Sequence, residues 1–211
     1  MRVKDAVLLV DDDRTFLKTA SDVLSAIYDV SVASSGSEAI ALLCAGYVPD
    51  IILLDIDMPD MDGFETLSAL QKKEDVKDIP VVFLTSLTTN ESELKGIESG
   101  AMDYIKKPFV KELLLARVRL HLDNGRRLRQ LSMMEKNKLI AVVDEEKFER
   151  FADGFSDTER KMLRLIALGY TNREICESLH YAYGYVKNVV GAIYEKRNVG
   201  SRSELKRLLM R

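Results

Sequence analysis

Short apolar runs alternate with amphipathic stretches over the first 110 residues of the chain. The runs of strand length cover residues 6–10, 30–33, 51–54, 81–85 and 103–105. Helical spacing of apolar residues occurs between them, near residues 14–27, 37–45, 63–74 and 90–98. This alternation predicts a doubly wound, flavodoxin-like α/β fold with a five-stranded parallel sheet. Ligands bind outside the carboxyl ends of such strands, so the residues directly after each run are candidate site residues.

The pattern becomes helical from Phe109 onward. Apolar residues recur at roughly helical spacing at Leu113, Leu120, Leu128, Leu131 and Met134. Two interpretations are open at this point. One is a long helix that leaves the first domain, and the other is a shorter helix that ends near Asn124-Gly125, because glycine costs about 1 kcal/mol in a helix interior. Residues 135–155 are mixed and charged, which indicates a linker with helical stretches.

A compact all-helical unit is predicted from Ser156 to the last residue. Its helix starts are indicated by three capping boxes, which are Ser156 with Glu159, Thr171 with Glu174, and Ser201 with Glu204. Gly169 and Gly200 stand where preceding helices are expected to stop. The expected helices cover residues 157–168, 172–179, 183–197 and 202–210. We therefore expect an α/β domain at 1–120, a helical linker at 121–154 and a small all-α domain at 155–211.

Charge is distributed unevenly along the 211 residues, although the net charge is only −3. Residues 1–120 contain 13 Lys and Arg against 21 Asp and Glu, whereas residues 156–211 contain 11 against 6. A basic end opposite an acidic one is a hint of nucleic-acid contact. Cys44 and Cys176 lie far apart and indicate neither a disulfide framework nor a zinc site. No apolar stretch approaches the length of a membrane span, so a cytoplasmic protein is expected.

Polar residues follow the predicted strands at positions suited to phosphoryl transfer. Asp11, Asp12 and Asp13 follow the first run, Asp55 the third, Thr85 the fourth and Lys107 the fifth. Clustered carboxylates repel each other and favour a bound Mg²⁺, which is held by one or two of them. A carboxylate beside Mg²⁺ can act as a nucleophile, and a lysine can neutralise phosphoryl oxygens. Each piece has a simpler interpretation, because such aspartates commonly cap helices and Lys-Pro commonly forms a turn.

The order of these residues resembles the receiver domain of two-component response regulators, similar to CheY. The resemblance covers residues 3–120. It is carried by Val10-Asp11-Asp12, by Leu54-Asp55-x-x-Met58-Pro59-x-x-Asp62-Gly63, by Leu84-Thr85-Ser86, and by Gly100-Ala101-x-Asp103-Tyr104-Ile105-x-Lys107-Pro108-Phe109. It implies a sensor histidine kinase as partner and no enzyme activity beyond the domain's own phosphoryl transfer and slow dephosphorylation.

The resemblance also assigns roles. Asp55 is implied as the phosphoacceptor, with Thr85 and Lys107 contacting the phosphoryl group. Mg²⁺ is expected on Asp11, Asp12, Asp55 and the backbone carbonyl of Asp57, which leaves Asp13 as a helix cap. A cis peptide bond is expected before Pro108. Tyr104 matches the family's switch aromatic, although a half-buried tyrosine at a strand edge is the simpler interpretation.

Residues 155–211 resemble the LuxR/NarL-type helix-turn-helix domain. The matching segments are Phe155-Ser156-x-x-Glu159-Arg160, the run from Leu163 to Ile175, Val186-Lys187-Asn188, and Ser201-Arg202-Ser203-Glu204-Leu205. In this motif the second helix, here 183–197, enters the major groove of DNA. The candidate DNA contacts are Lys187, Asn188, Arg173, Lys196 and Arg197, of which the last two are expected to meet phosphates.

The chain departs from the family at the start of the recognition helix. The family usually has Ser, Thr and then His at positions that hold Ala182, Tyr185 and Val189 here. Loss of the cap is expected to cost about 1 kcal/mol of helix stability. Tyr181, Tyr183 and Tyr185 either pack against neighbouring helices, stack in a dimer, change the DNA preference or serve a protein contact.

Two functions follow from these resemblances. The first is a response regulator that is phosphorylated on Asp55 and binds DNA as a homodimer, with the helix of residues 109–134 as the expected dimer contact. The second is a phosphorylation-controlled signalling adaptor whose C-terminal domain binds a protein instead of DNA.

Overall fold

The computed structural model describes residues 4–73, 76–86, 102–138 and 143–210. The chain divides into two compact units, Met1–Arg126 and Arg127–Arg211. Each unit has its own cluster of buried apolar side chains. Within the described ranges, no helix is both long and apolar enough to cross a bilayer.

A five-stranded parallel sheet forms the centre of the first unit. Its strands are β1 (Ala6–Val10), β2 (Asp29–Ala33), β3 (Ile51–Asp55), β4 (Val81–Thr85) and β5 (Asp103–Lys106). Their order across the sheet is β2-β1-β3-β4-β5, and every pairing is parallel. Every residue of β1, β3 and β4 is buried, as expected of strands covered on both faces. The predicted fold is confirmed, and the order reverses between β1 and β3, where such sheets bind ligands.

Four helices begin in the first unit, and the first three of them start at capped residues. They are α1 (Arg14–Leu24), α2 (Gly36–Cys44), α3 (Gly63–Gln71) and α4 (Lys111–Lys138). Asp13, Ser35 and Asp62 each accept hydrogen bonds from the first turn of the helix that follows, which satisfies free backbone N–H groups there. The helix predicted at 90–98 lies outside the described residues.

Helix α4 runs without interruption through Gly125, so the longer of the two predicted helices is the one observed. On its first four turns Leu114, Val118 and Leu122 are buried against the sheet. That burial stabilises the helix by more than glycine weakens it. The apolar residues that suggested the helix are more than half exposed, and they are Leu113, Leu120, Leu128, Leu131 and Met134.

The described part of the second unit is built from helices, with one isolated antiparallel bridge between Val143 and Met210. Its further helices are α5 (Glu145–Phe151), α6 (Asp157–Ala167), α7 (Asn172–Leu179), α8 (Tyr183–Arg197) and α9 (Arg202–Leu209). Their core includes Met162, Ile166, Ile175, Val186 and Ile193. Val143, Phe148 and Ala152, from the segment predicted as a linker, are also buried in this core.

Two of the three predicted capping boxes are present in full, at Ser156 with Glu159 and at Thr171 with Glu174. The third is incomplete, because the carboxylate of Glu204 accepts from the N–H of Gly200 and not from that of the cap residue Ser201. The predicted end of helix α8 at residue 197 is confirmed, but Gly200 is not the residue that terminates the helix. Asn198 ends that helix in the left-handed conformation, at φ 50°, which asparagine tolerates better than most residues.

Candidate functional site

Two buried carboxylates face one lysine at the carboxyl edge of the sheet. Asp11 follows β1 and is 0% exposed, and Asp55 ends β3 and is 3% exposed. Lys107 follows β5, and its Nζ lies 2.6 Å from Asp11 Oδ2 and 2.8 Å from Asp55 Oδ1. The parallel register brings the ends of β1 and β3 side by side, with Val10 opposite Leu54. The structure therefore brings these three predicted site residues into direct contact.

The lysine is held from a second side by an aromatic ring. Lys107 Nζ lies 4.4 Å from the ring centroid of Phe16, a distance at which a cation is attracted to the face of the ring. Phe16 packs edge-on against Phe109, with ring centroids 5.6 Å apart. The peptide bond between Lys107 and Pro108 is cis, as the resemblance implies.

The charges of this site influence one another. Burial raises the pKa of Asp55 above its usual value, contact with Lys107 opposes this, and the charge of Asp11 raises it further. Burial by itself lowers the pKa of Lys107, but the contacts with Asp11 and Asp55 outweigh it and raise the pKa. Lys107 therefore stays protonated at neutral pH. Asp11 Oδ2 and Asp55 Oδ1 are buried, and within the described ranges Lys107 is the side chain that contacts them while no other group donates a hydrogen bond to either oxygen.

The arrangement of carboxylates fits a divalent cation. Oxygen atoms of Asp11, Asp12 and Asp55 all lie within 4.8 Å of one another. Three carboxylates against one ammonium leave an excess of negative charge, and oxygen ligands of this kind suit Mg²⁺. The side chain of Asp57 is exposed and is not part of this group, so its expected contribution through the backbone carbonyl stays a prediction. Asp13 caps helix α1 by accepting from the N–H groups of Thr15 and Phe16, which confirms its predicted role.

Gly63 is placed against the backbone of the phosphoacceptor candidate. A Cβ atom at Gly63 would lie 2.4 Å from the carbonyl oxygen of Asp55 and 2.9 Å from Cα of Ile56. Gly63 also donates its N–H to the carbonyl oxygen of Ile56 at 2.9 Å. Only glycine permits helix α3 to start this close to the end of β3, and this contact fixes the backbone of Asp55.

Thr85 and Tyr104 line one cavity beside this cluster. The cavity has a volume of about 440 Å³ and is also lined by Ile56, Pro108 and Phe109. Thr85 is buried at the end of β4, and its carbonyl oxygen accepts from the N–H of Lys107 at 2.8 Å. Tyr104 is half-buried on β5. The expected roles of Thr85 as a phosphoryl contact and of Tyr104 as a switch residue stay predictions.

A partly buried polar cluster holds the strand that carries Tyr104. The carboxylate of Asp103 accepts from the N–H of Tyr104 at 2.8 Å and pairs with Arg117 and with His121 Nε2, the latter at 3.0 Å. Although burial raises the pKa of Asp103, the hydrogen bonds from His121 and Arg117 bring it below its usual value. Helix α4 is thereby tied to the start of β5.

In the second unit, helices α7 and α8 form the predicted helix-turn-helix. Ala182 occupies the N-cap position of α8 without a side-chain cap hydrogen bond, as its sequence implies. Val186, Val190 and Ile193 turn into the core. Lys187 and Asn188 are exposed on another face.

The three other candidate DNA contacts take part in contacts inside the unit. Lys196 Nζ pairs with Glu159, and the guanidinium of Arg197 donates to the carbonyl oxygens of Phe151 and Asp153. Arg173 lies 3.6 Å from the carboxylate of Glu177. The structure thus gives Lys196 and Arg197 a packing role that their sequence positions do not reveal.

Several supporting residues carry no sequence signal for their roles. Phe16 under the lysine, and the pair of His121 and Arg117 on Asp103, depend on contacts between elements distant in sequence. A signal does exist for Gly63, because a glycine directly after the capping residue Asp62 is unfavourable in a helix unless a neighbour approaches closely.

Comparison with known proteins finds a matching family for each of the two units. Residues 7–119 match the response regulator receiver domain family, and residues 153–209 match the luxR family of bacterial regulatory proteins. A probable cyclic di-GMP phosphodiesterase of Vibrio cholerae serotype O1 is 40% identical over 120 residues, which are 57% of this chain and 27% of that protein. The DNA-binding dual master transcriptional regulator RpaA of Synechocystis is 40% identical over 125 residues, 59% of this chain and 52% of that protein. The chain thus spans between a quarter and about half of these relatives.

One solved structure matches along nearly the whole chain. The response regulator StyR covers 98% of both chains at a TM-score of 0.51 and 24% identity, which shows likeness of fold. The receiver match alone covers more than half of the chain. The chain therefore belongs to the response regulators, and it joins a receiver domain to a domain of the luxR family.

Proposed function

We propose that this protein is a transcription regulator of a two-component system, which is phosphorylated on Asp55 and binds DNA through helix α8. The observation that carries the proposal is the contact of Lys107 Nζ with both Asp11 and Asp55 at the edge of a receiver sheet. The luxR-family match of residues 153–209 and the name of the relative RpaA support the DNA-binding part. A sensor histidine kinase is the proposed phosphodonor, and the cytoplasm the proposed location.

The first step of the mechanism is nucleophilic attack by the Asp55 carboxylate. One of its oxygens bonds to the phosphorus atom of the donor, and the bond from phosphorus to the donor's imidazole nitrogen breaks. Helix α3 fixes the acceptor through Gly63, and Lys107 is placed to pair with the phosphoryl oxygens. Thr85 is the proposed hydroxyl donor to the same group.

Mg²⁺ is proposed on Asp11, Asp12 and Asp55 with the backbone carbonyl of Asp57. The close carboxylate oxygens and the buried oxygens that contact only Lys107 support this assignment. When bound, the ion neutralises charge on the transferred phosphoryl group. Lys107 by itself cannot balance three carboxylates and an incoming phosphoryl dianion.

Phosphorylation acts on DNA binding by shifting an equilibrium. A phosphoryl group stabilises the form in which Thr85 has moved toward it and Tyr104 has rotated inward to fill the space. It shifts the populations of the two forms only as far as it stabilises one form more than the other. We propose that the shifted form is a homodimer, in agreement with the two-fold symmetry of helix-turn-helix operators. The exposed leucines of helix α4 are the proposed contact.

On the DNA side, Lys187 and Asn188 are the proposed contacts to base edges, because both are exposed on α8 away from the core. Arg173 is the proposed phosphate contact. Lys196 and Arg197 act in the proposal mainly by holding α8 against helices α5 and α6, since they bind Phe151 and Glu159 there.

Phosphorylation is tested by intact mass after treatment with acetyl phosphate and Mg²⁺. The wild-type chain should gain one phosphoryl group, and Asp55→Asn should gain none. Asp22→Asn, an exposed aspartate on α1, is the matched control and should behave as wild type. Full labelling of Asp55→Asn would contradict the assignment.

A second function is favoured by one observation. Tyr181 and Tyr185 are exposed at the start of α8, where an adaptor would present them to a protein. Titration of labelled duplex DNA at increasing salt separates the two functions. DNA binding that weakens steeply with salt supports the regulator, whereas no measurable binding at low salt supports the adaptor.

A further inference from the structure

A pair of tyrosines stands exposed at the start of helix α8. Tyr181 lies in the connection before the helix and Tyr185 in its first turn, with ring centroids 5.1 Å apart and planes inclined at 60°. The residues are 39% and 47% exposed, and neither belongs to the buried core of the second unit. The rings therefore pack on each other and keep a large part of their surface open to solvent.

The pair lies on the same face of the helix as the candidate base contact Asn188. Residues three apart on a helix are neighbours, so Tyr185 and Asn188 present one continuous surface beside Lys187. Val186 and Val190 turn the opposite way, into the core. Residues 156–211 carry 11 Lys and Arg against 6 Asp and Glu, which complements a polyanion.

We propose that Tyr185, braced by Tyr181, contacts thymine methyl groups in the major groove and so sets the DNA sequence preference of this chain. This inference rests on the proposed DNA-binding function. Apolar contact with the thymine methyl is one of the ways in which side chains read base pairs. A ring held by another ring loses little conformational freedom on binding, because tyrosine has only two rotatable side-chain bonds.

Duplex DNA fits this surface better than a protein does. A stable protein interface buries about 800 Å² on each partner, and two rings that are each exposed by less than half supply a small fraction of that. A thymine methyl needs contact with only one ring. The neighbouring Lys187 and Asn188 are suited to phosphates and base edges, whereas interface cores are depleted of charge.

The test uses the full chain, treated with acetyl phosphate and Mg²⁺. Preferred duplexes are first selected from a random pool, and each thymine of the preferred site is then replaced by uracil, which removes only the methyl group. For wild type we expect at least one position where the replacement weakens binding about fourfold, the effect of one buried methyl group. Tyr185→Ala should bind the thymine duplex more weakly and show no effect of uracil there, whereas Tyr185→Phe should keep the effect.

Leu208→Ala is the matched control, because Leu208 is an exposed apolar residue of similar exposure, at 45%, on helix α9. It should bind as wild type does. Specific wild-type binding with no uracil-sensitive position, or with sensitivity that survives in Tyr185→Ala, overturns this inference and leaves DNA binding intact. Failure of the wild-type chain to select any sequence overturns both this inference and the proposed DNA-binding function. In that case, capture of a protein partner that is lost in Tyr185→Ala would assign the tyrosine pair to a protein contact.

Discussion

Replacement of Lys136 by methionine should destabilise the second unit selectively. Lys136, on helix α4, places Nζ 2.8 Å and 2.6 Å from the two carboxylate oxygens of Glu174. The side chain of Glu174 is only 4% exposed, and that of Lys136 is 19% exposed. Methionine keeps most of the aliphatic stem but leaves the carboxylate buried without its cation.

The size of the effect follows from that burial. Removal of one partner from a buried ion pair typically costs about 3–5 kcal/mol, since the other charge stays desolvated. Here the carboxylate still accepts from the N–H of Thr171 at 2.7 Å, and water reaches part of Lys136. We therefore expect a loss of about 2–3 kcal/mol in the free energy of unfolding of this unit.

Hydrogen exchange of the full chain, followed by mass spectrometry, measures this loss in peptides from helices α6 to α8. Arg150→Met is the control, because Arg150 and Glu146 are 76% and 91% exposed and their pair should contribute less than about 0.5 kcal/mol. Adding Glu174→Gln to Lys136→Met should restore part of the stability, because the buried charge is removed. Protection equal to wild type in the single variant, or no recovery in the double variant, would show that Lys136 does not stabilise the buried carboxylate of Glu174.

Three further changes test other parts of the structure. Gly63→Ala should destabilise the first unit by about 1–3 kcal/mol, because its Cβ would lie 2.4 Å from the carbonyl oxygen of Asp55. The same change should slow labelling of Asp55 by acetyl phosphate, and an unchanged labelling rate would contradict the role of Gly63 in positioning Asp55. Gly191→Ala should stabilise the second unit by about 0.8–1 kcal/mol in urea unfolding, since a Cβ there meets no atom within 4 Å. Contact with Lys196 lowers the pKa of Glu159 to about 2, so the stability that Glu159 contributes is complete above about pH 4.5 and is lost as the pH falls through about 2. Acid titration of Glu159→Gln should lack that loss, and an identical curve for both proteins would count against the pairing.

The sequence predicts the elements of this fold closely because their signals are local. Alternating apolar runs place all five strands within a residue of their observed bounds. Asp13 and Ser156 mark helix starts through hydrogen bonds to residues only two or three positions away. Gly200 does not terminate helix α8, because Asn198 adopts the left-handed conformation two positions earlier.

Contacts between distant elements could not be predicted in this way. The positions of Asp55 and Lys107 directly after the apolar runs predict that both lie at one edge of the sheet. The ring of Phe16 beside the lysine is seen only in the structure. Lys196 and Arg197 look like DNA contacts in sequence, because a charge late in a recognition helix is suited to phosphates. The structure shows that both are bound by other helices of the same unit.

Control of DNA binding by phosphorylation of Asp55 is tested most directly by the affinity of the full chain for its selected duplex. Fluorescence anisotropy is measured at one salt concentration, with Mg²⁺, before and after addition of acetyl phosphate. Binding should tighten after phosphorylation of wild type and should not change for Asp55→Asn, which lacks the acceptor carboxylate. Equal tightening in both proteins, or none in a wild-type chain shown by mass to be phosphorylated, would contradict it.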